Sequence, residues 1–249
     1  MLEKYFKLKG EDCVFVYQYG KVGSTSLSQA LKSGVNMHDL YGNVMCPPGF
    51  KYRYTLAYKV LFFIDRFIRR FFIKRSSEIL MIVPLRRPEE RNVSMFFQDL
   101  PFWYVSYFSK NPGYAKGEGV GILQEIFSEY FPHYACDAWF DKEFSRFTGI
   151  RLEDIEFDTE SGLGFSEKGK FKCLFIHHDK VDTDLGRKWI ESVTGQDVVI
   201  PNVNRGSEKW YADAYKQFMA DEDFMKAYRE KMSFSKVSRK FYQDKIDVR

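Results

Sequence analysis

The chain predicts an α/β fold with a central parallel sheet flanked by helices, and three stretches carry that expectation. Residues 13–17 (Cys-Val-Phe-Val-Tyr) run into a Gly/Lys/Ser/Thr turn, and residues 79–85 (Ile-Leu-Met-Ile-Val-Pro-Leu) run into a pair of arginines. Residues 171–176 (Phe-Lys-Cys-Leu-Phe-Ile) form a third apolar run. Short β-branched and aromatic runs without polar alternation are what strands covered on both faces require.

The first strand opens into Gln18-Tyr19-Gly20-Lys21-Val22-Gly23-Ser24-Thr25-Ser26-Leu27, and good helix formers follow at 28–32. This is the composition of a phosphate cradle. Glycines allow close approach of an anion, backbone N–H groups at the helix start face it, and Lys21 brings a point charge. The order Lys-Val-Gly-Ser-Thr puts the lysine before the second glycine, whereas an ATP or GTP P-loop needs GxxxxGK[ST].

Residues 34–37 read as a second strand, with His38 and Asp39 after it at the edge where loops gather. Residues 54–75 read as a helix rich in large apolar side chains, including Val60, Leu61, Phe63, Ile64, Phe67 and Phe71, and interrupted by Asp65, Arg66, Arg69, Arg70 and Lys74. These charges leave no apolar run of membrane-spanning length. One reading makes it an amphipathic cover for the sheet; the other lays it on an anionic membrane, near a lipid-linked glycan.

After the third strand comes Arg86-Arg87-Pro88-Glu89-Glu90-Arg91-Asn92-Val93-Ser94, where Pro88 suits a first helical position. A guanidinium fork and a hydroxyl can share the oxygens of a terminal phosphate. Residues 137–147 read as an aromatic-faced helix, and 153–170, with Gly162, Gly164 and Gly169, as a hairpin or loop. Residues 183–194 and 221–245 read as helical, the latter as one charged helix or a pair.

Two of these segments resemble a known family. The strand followed by Lys-x-Gly-[Ser/Thr]-[Ser/Thr] resembles the 5′-phosphosulfate loop of sulfotransferases that use 3′-phosphoadenosine 5′-phosphosulfate (PAPS). Arg-x-Pro-x-x-Arg-x-x-Ser resembles their 3′-phosphate motif. The resemblance implies a P-loop-like three-layer sandwich. It implies donor binding by Lys21, Gly23, Ser24, Thr25 and Ser26 at the phosphosulfate, and by Arg86 and Ser94 at the 3′-phosphate. Lys21 would also act catalytically, on the bridging oxygen or the 5′-phosphate, and Arg205 would be a further 3′-phosphate contact. The run Asn202-Val203-Asn204-Arg205-Gly206-Ser207-Glu208-Lys209-Trp210-Tyr211 is similar to the Asn-Lys-Trp-Tyr-Lys signature of a bacterial sulfotransferase-like group associated with capsular polysaccharide synthesis, although Glu208 and Ala212 depart from it. That group implies a carbohydrate or glycolipid acceptor. Trp210, Tyr211, Tyr215 and Phe218 read as packing residues rather than as a platform for it.

The acceptor base is not set by either motif. His38 leads as the catalytic candidate, followed by His178 and His133, with Asp39 as a carboxylate alternative. No metal is expected, because no Asp/Glu/His cluster has ligand spacing. Two other functions stay open. A P-loop nucleotide kinase or NTPase would need an acidic Mg²⁺ ligand after a later strand. A non-catalytic membrane-associated glycan-assembly protein would have no need of Lys21, Arg86 and Ser94 together.

The 249 residues, 45% hydrophobic and undivided by a Pro/Gly/Ser-rich linker, suit one domain spanning 1–249 with the 54–75 helix as an insertion. A net charge of +4 suits anionic ligands but, without zinc-finger or RNA-binding patterns, no nucleic acid. Cys13, Cys46, Cys136 and Cys173 form no CxxC pair and read as free thiols; with no leader-like N-terminus, a reducing cytoplasm is the expected compartment, with contact at the inner membrane if the 54–75 helix provides it.

Overall fold

The computed structural model describes residues 13–42, 56–110, 119–201 and 209–243, without the side chains of 56–59. Arg205, Cys46 and most of the Asn-Lys-Trp-Tyr-like run lie outside them.

A six-stranded sheet in the order β2-β1-β3-β6-β5-β4 forms the centre. Strands β1 (Val14–Tyr17), β2 (Gly34–Met37), β3 (Ile79–Leu85) and β6 (Phe171–His177) are mutually parallel. The chain crosses from β2 past β1 to β3, so the order reverses between β1 and β3; such a switch point leaves a crevice outside the carboxyl ends of the strands.

The central strands are parallel as expected from the sequence, but the sheet as a whole is mixed. Strands β4 (Glu156–Asp158) and β5 (Leu163–Lys168) add an antiparallel edge within the stretch read as hairpin or loop. Connection length is the cause. Only Gly169 and Lys170 separate β5 from β6, with Gly169 at φ 59°, and a parallel crossover needs a dozen residues or more.

Alternate residues of the central strands feed two core layers. Phe15, Tyr17, Met81, Val83, Cys173 and Phe175 face a helix built of Ala135–Trp139, the π-turn Phe140–Phe144 and Ser145–Thr148. Val14, Val16, Ile82, Leu174 and Ile176 face α1 (Ser24–Ala30) and the helix Asp184–Thr194, which Thr183 caps through its hydroxyl. A third core joins the helices Pro88–Gln98, Leu100–Lys110, Val120–Tyr130, Ala212–Ala220 and Glu222–Ser233 through Phe96, Phe97, Trp103, Phe127, Phe218 and Tyr228. A short helix, Lys236–Phe241, follows the last of these, so the 221–245 segment is a pair.

In chain order the remaining helices are α2 (Leu56–Ile73), α3 (Pro88–Gln98), α4 (Leu100–Lys110), α5 (Val120–Tyr130), α6 (the composite helix), α7 (Asp184–Thr194), α8 (Ala212–Ala220), α9 (Glu222–Ser233) and α10 (Lys236–Phe241). The cover expected of α2 is only partly made. Ile68, Phe72 and Ile73 near its C-terminal end pack on the first core, whereas Val60, Leu61, Phe63, Ile64, Phe67 and Phe71 are exposed. No described helix is long and apolar enough to cross a membrane. Cys136 and Cys173 are buried free thiols, and Cys13 is half-buried and free.

Candidate functional site

The residues that follow each of the four parallel strands open onto one cavity of about 680 Å³. Gln18 to Lys21 follow β1, His38 follows β2, Arg86 follows β3 and His178 follows β6. Gly23, Ser24, Thr25 and Ser26 complete one wall, while Ser94 and Gln98 of α3 and Lys209, Tyr211, Tyr215 and Lys216 at α8 supply the other. Both segments singled out in the sequence thus meet in space. Among the described residues, no Asp or Glu lines this cavity.

Loop geometry depends on two left-handed residues besides Gly20. Gly23 (φ 75°) starts α1, and Lys21 (φ 62°) holds a conformation that costs a residue with a Cβ about 1–2 kcal/mol. Helix α1 has no side-chain cap, so the amides of its first turn are left to whatever enters the cavity. Lys21 Nζ donates to Gln98 Oε1 at 2.9 Å. Burial, and then the neighbouring Lys209 and Arg86 charges, lower the Lys21 pKa, against a smaller opposing effect of Asp99.

Two buried side chains lace the loop to β3 and α3. Tyr19 is fully buried; its hydroxyl accepts from the Arg86 N–H at 3.0 Å and lies 3.3 Å from the Arg86 carbonyl oxygen. Arg91, 1% exposed, donates to the carbonyls of Tyr19 at 2.7 Å and Gly20 at 3.1 Å. In a trans peptide the N–H points opposite to the C=O. With the Gly20 carbonyl turned onto Arg91, the Lys21 N–H is turned away from it. Arg91 continues to Asn92 Oδ1 at 3.1 Å, and Asn92 donates to Tyr228 Oη at 2.9 Å and to the His133 carbonyl at 2.8 Å. A buried polar chain therefore runs from the loop to α9.

Arg86 sits at the cavity with its Nε 3.3 Å from Glu90 Oε2 and its Nη1 donating to the Lys21 carbonyl at 3.4 Å. Ser94, two turns along α3, lines the same space. The three candidate bases separate clearly. His133 is buried in the third core, Nε2 against the Ser128 carbonyl at 3.1 Å and Nδ1 against Tyr228 Oη at 3.0 Å; burial lowers its pKa to about 4. It does not line the cavity.

His38 and His178 both do. The Gln18 side-chain oxygen accepts the Gly20 N–H, which turns its amide nitrogen towards Asn36 Oδ1 (3.2 Å) and His38 Nε2. His38 then accepts at Nε2 and carries its proton on Nδ1, a neutral imidazole whose pKa burial and Arg91 lower. His178 lies at the other end, its N–H donating to the Leu85 carbonyl at 2.7 Å and its pKa lowered by burial and then by Arg86.

The sequence reading passed over Glu143. It is fully buried in the π-turn, where its carboxylate accepts the amides of Leu40 (2.7 Å), Tyr41 (3.0 Å) and Gly42 (2.6 Å), and Tyr17 Oη lies 3.4 Å away. Trp139 Nε1 donates to the His38 carbonyl at 3.2 Å. The π-turn thereby pins the loop that carries His38, in keeping with the use of such turns at functional sites. Asp39, the carboxylate alternative, is not among the lining residues; it pairs with Arg66 at 3.5 Å, and burial with the Glu143 charge raises its pKa to about 7. Phe218 is core, as expected, and Tyr211 and Tyr215 pack on Phe97 with ring centroids at 5.8 and 5.3 Å while lining the cavity. Trp210, expected as packing, is 70% exposed. Comparison of the chain with protein-family models, with curated proteins and with solved structures finds no match.

Proposed function

We propose that this chain is a sulfotransferase that takes PAPS as donor and passes its sulfuryl group to a hydroxyl of a carbohydrate acceptor, in the modification of a surface or capsular polysaccharide. One observation carries this reading: two groups suited to anions, the Lys21 to Ser26 loop and the Arg86/Ser94 pair, open onto the same cavity at a switch point of the sheet, with no Asp or Glu among its described lining residues. A donor with phosphate at both the 5′ and 3′ positions needs two such groups. A nucleoside triphosphate with Mg²⁺ would call for a carboxylate among the lining residues.

In this scheme the acceptor oxygen attacks sulfur, the bond from sulfur to the 5′-phosphate oxygen breaks, and that oxygen leaves with the electron pair. Lys21, the loop amides and the hydroxyls of Ser24, Thr25 and Ser26 take up the charge that develops there; preorganised donors of this type contribute about 3–4 kcal/mol each. Arg86 and Ser94 hold the 3′-phosphate. His38 abuts the loop and is neutral, the state a base needs, and receives the hydroxyl proton at Nε2 once the Gln18 amide yields it. His178, beside Arg86, faces the 3′-phosphate end.

Calorimetric titration with 3′,5′-adenosine bisphosphate and with ATP plus Mg²⁺ tests the proposal. The bisphosphate is expected to bind at least ~10-fold more tightly. Preference for ATP, or no binding of either, would sink it. With a sulfated acceptor in hand, His38→Asn should lower kcat by about 10²–10⁴-fold with little change in donor KM, and His178→Asn should chiefly weaken the donor.

A further inference from the structure

Helix α2 is amphipathic the wrong way round for a helix that covers a sheet. Val60, Phe63, Ile64, Phe67 and Phe71 recur at i, i+3, i+4, i+7 and i+11, one stripe of an α-helix. All five are exposed, Phe63 to 66% and Phe67 to 55%. The opposite side, which meets the protein, mixes polar contacts with Ile68, Phe72 and Ile73 at its C-terminal end. Arg66 pairs with Asp39, Arg69 with Asp65 at 2.8 Å, and Arg70 donates to the Leu40 carbonyl while stacking 4.6 Å from the Tyr41 ring centroid. Ile73, at the last turn, is fully buried, with Ile68 and Phe72 half-buried beside it.

The charges beside the stripe have one sign. With Arg66, Arg69, Arg70 and Asp65 engaged as above, the exposed charges left between residues 60 and 75 are Lys74 and Arg75, both basic. Lys74 and Arg75 are exposed at the end of the helix, with the Arg75 guanidinium 4.4 Å from the Phe71 ring centroid. Two such faces brought together would set like charges against each other, so a second copy is a poor occupant. A surface that is apolar beneath and anionic above accepts both features at once.

We propose that α2 docks the protein on the surface of an anionic phospholipid bilayer, its aromatic stripe in the headgroup and acyl boundary and Lys74 and Arg75 against lipid phosphates. The helix lies flat and does not span. This surface stands independently of the donor site.

Co-sedimentation of the full chain with phosphatidylcholine vesicles, with and without phosphatidylglycerol, tests it. The wild type should partition onto the anionic vesicles about 10-fold or more better than onto neutral ones, and lose binding as salt rises. Phe63→Asp with Phe67→Asp should abolish partitioning, and Lys74→Glu with Arg75→Glu should remove the preference for anionic lipid. Phe67→Trp, a milder change, should show a blue-shifted emission increment over wild type when anionic vesicles are added. Wild-type protein left in the supernatant with both vesicles would overturn the proposal, as would Asp variants that bind like wild type. Sedimentation equilibrium showing a dimer that the Asp variants dissociate would assign the stripe to a second copy instead.

Discussion

At the scale of single residues, the cavity rests on groups whose roles in stability and in binding can be pulled apart. Lys21 is the clearest. Its left-handed backbone is strained, so Lys21→Gly should raise stability by about 1 kcal/mol in urea unfolding while weakening binding of the bisphosphate about 10-fold or more. A lysine kept only for the fold would move both in the same direction. Arg91 should behave in the opposite sense. Arg91→Met leaves the Tyr19 and Gly20 carbonyls buried without their donor and should cost about 2–4 kcal/mol. Lysine at the same position would restore little, since one ammonium cannot reproduce the fork. The motif spacing made Arg86 and Ser94 legible, and Arg91 stands in the same pattern. Its role as a clamp behind the loop was not legible, because the carbonyls it holds lie 71 and 72 residues away in the chain.

At the scale of elements, β1, β3 and β6 could be read almost to the residue, because runs buried on both faces and ended by turn chemistry have few other ways to fold; β2, a half-buried edge strand, was legible from its place between a helix and the His38 turn. The orientation of β5 was less legible: composition marks a turn at Gly169, but only the turn's length decides between antiparallel return and crossover. Helix α2 misled for a different reason. Periodicity places an apolar stripe on one side of a helix but says nothing about which side faces the protein, and here Ile73, Arg66 beside Asp39 and Arg70 on the Leu40 carbonyl lie on the inward side. Glu143 was out of reach for the same kind of reason, since its partners are backbone amides about 100 residues earlier. Glu143→Ala should leave the Leu40, Tyr41 and Gly42 amides unsatisfied and cost about 2–4 kcal/mol, with hydrogen exchange at those three amides accelerated beyond the global change. Uniform acceleration across the chain would deny the π-turn its role in pinning the His38 loop.

At the scale of the molecule, two buried groups give stability opposite dependences on pH across one window. His133 has its folded pKa near 4, below its ordinary 6.5, so its contribution is present above about pH 6.5 and is lost as pH falls through about 4. Asp39 has its folded pKa near 7, above its ordinary 3.8, so its contribution is present below about pH 3.8 and is lost as pH rises through about 7. Each is worth on the order of 3–4 kcal/mol, and the two act in opposite senses. Asp39→Asn removes one of them, so its urea midpoint should climb from pH 4 to 6.5 more steeply than that of the wild type. A parallel pair of curves would mean that Asp39 titrates normally.

The central claim is that one cavity holds a nucleotide with phosphates at both the 5′ and 3′ positions, the latter on Arg86. It is tested most directly by titrating wild type and Arg86→Ala with 3′,5′-adenosine bisphosphate and with adenosine 5′-phosphate, four affinities that form a cycle. The wild type should favour the bisphosphate by about 2–3 kcal/mol, and Arg86→Ala should bind the two ligands alike. Discrimination that survives the loss of Arg86, or a wild type that does not discriminate, would contradict the account.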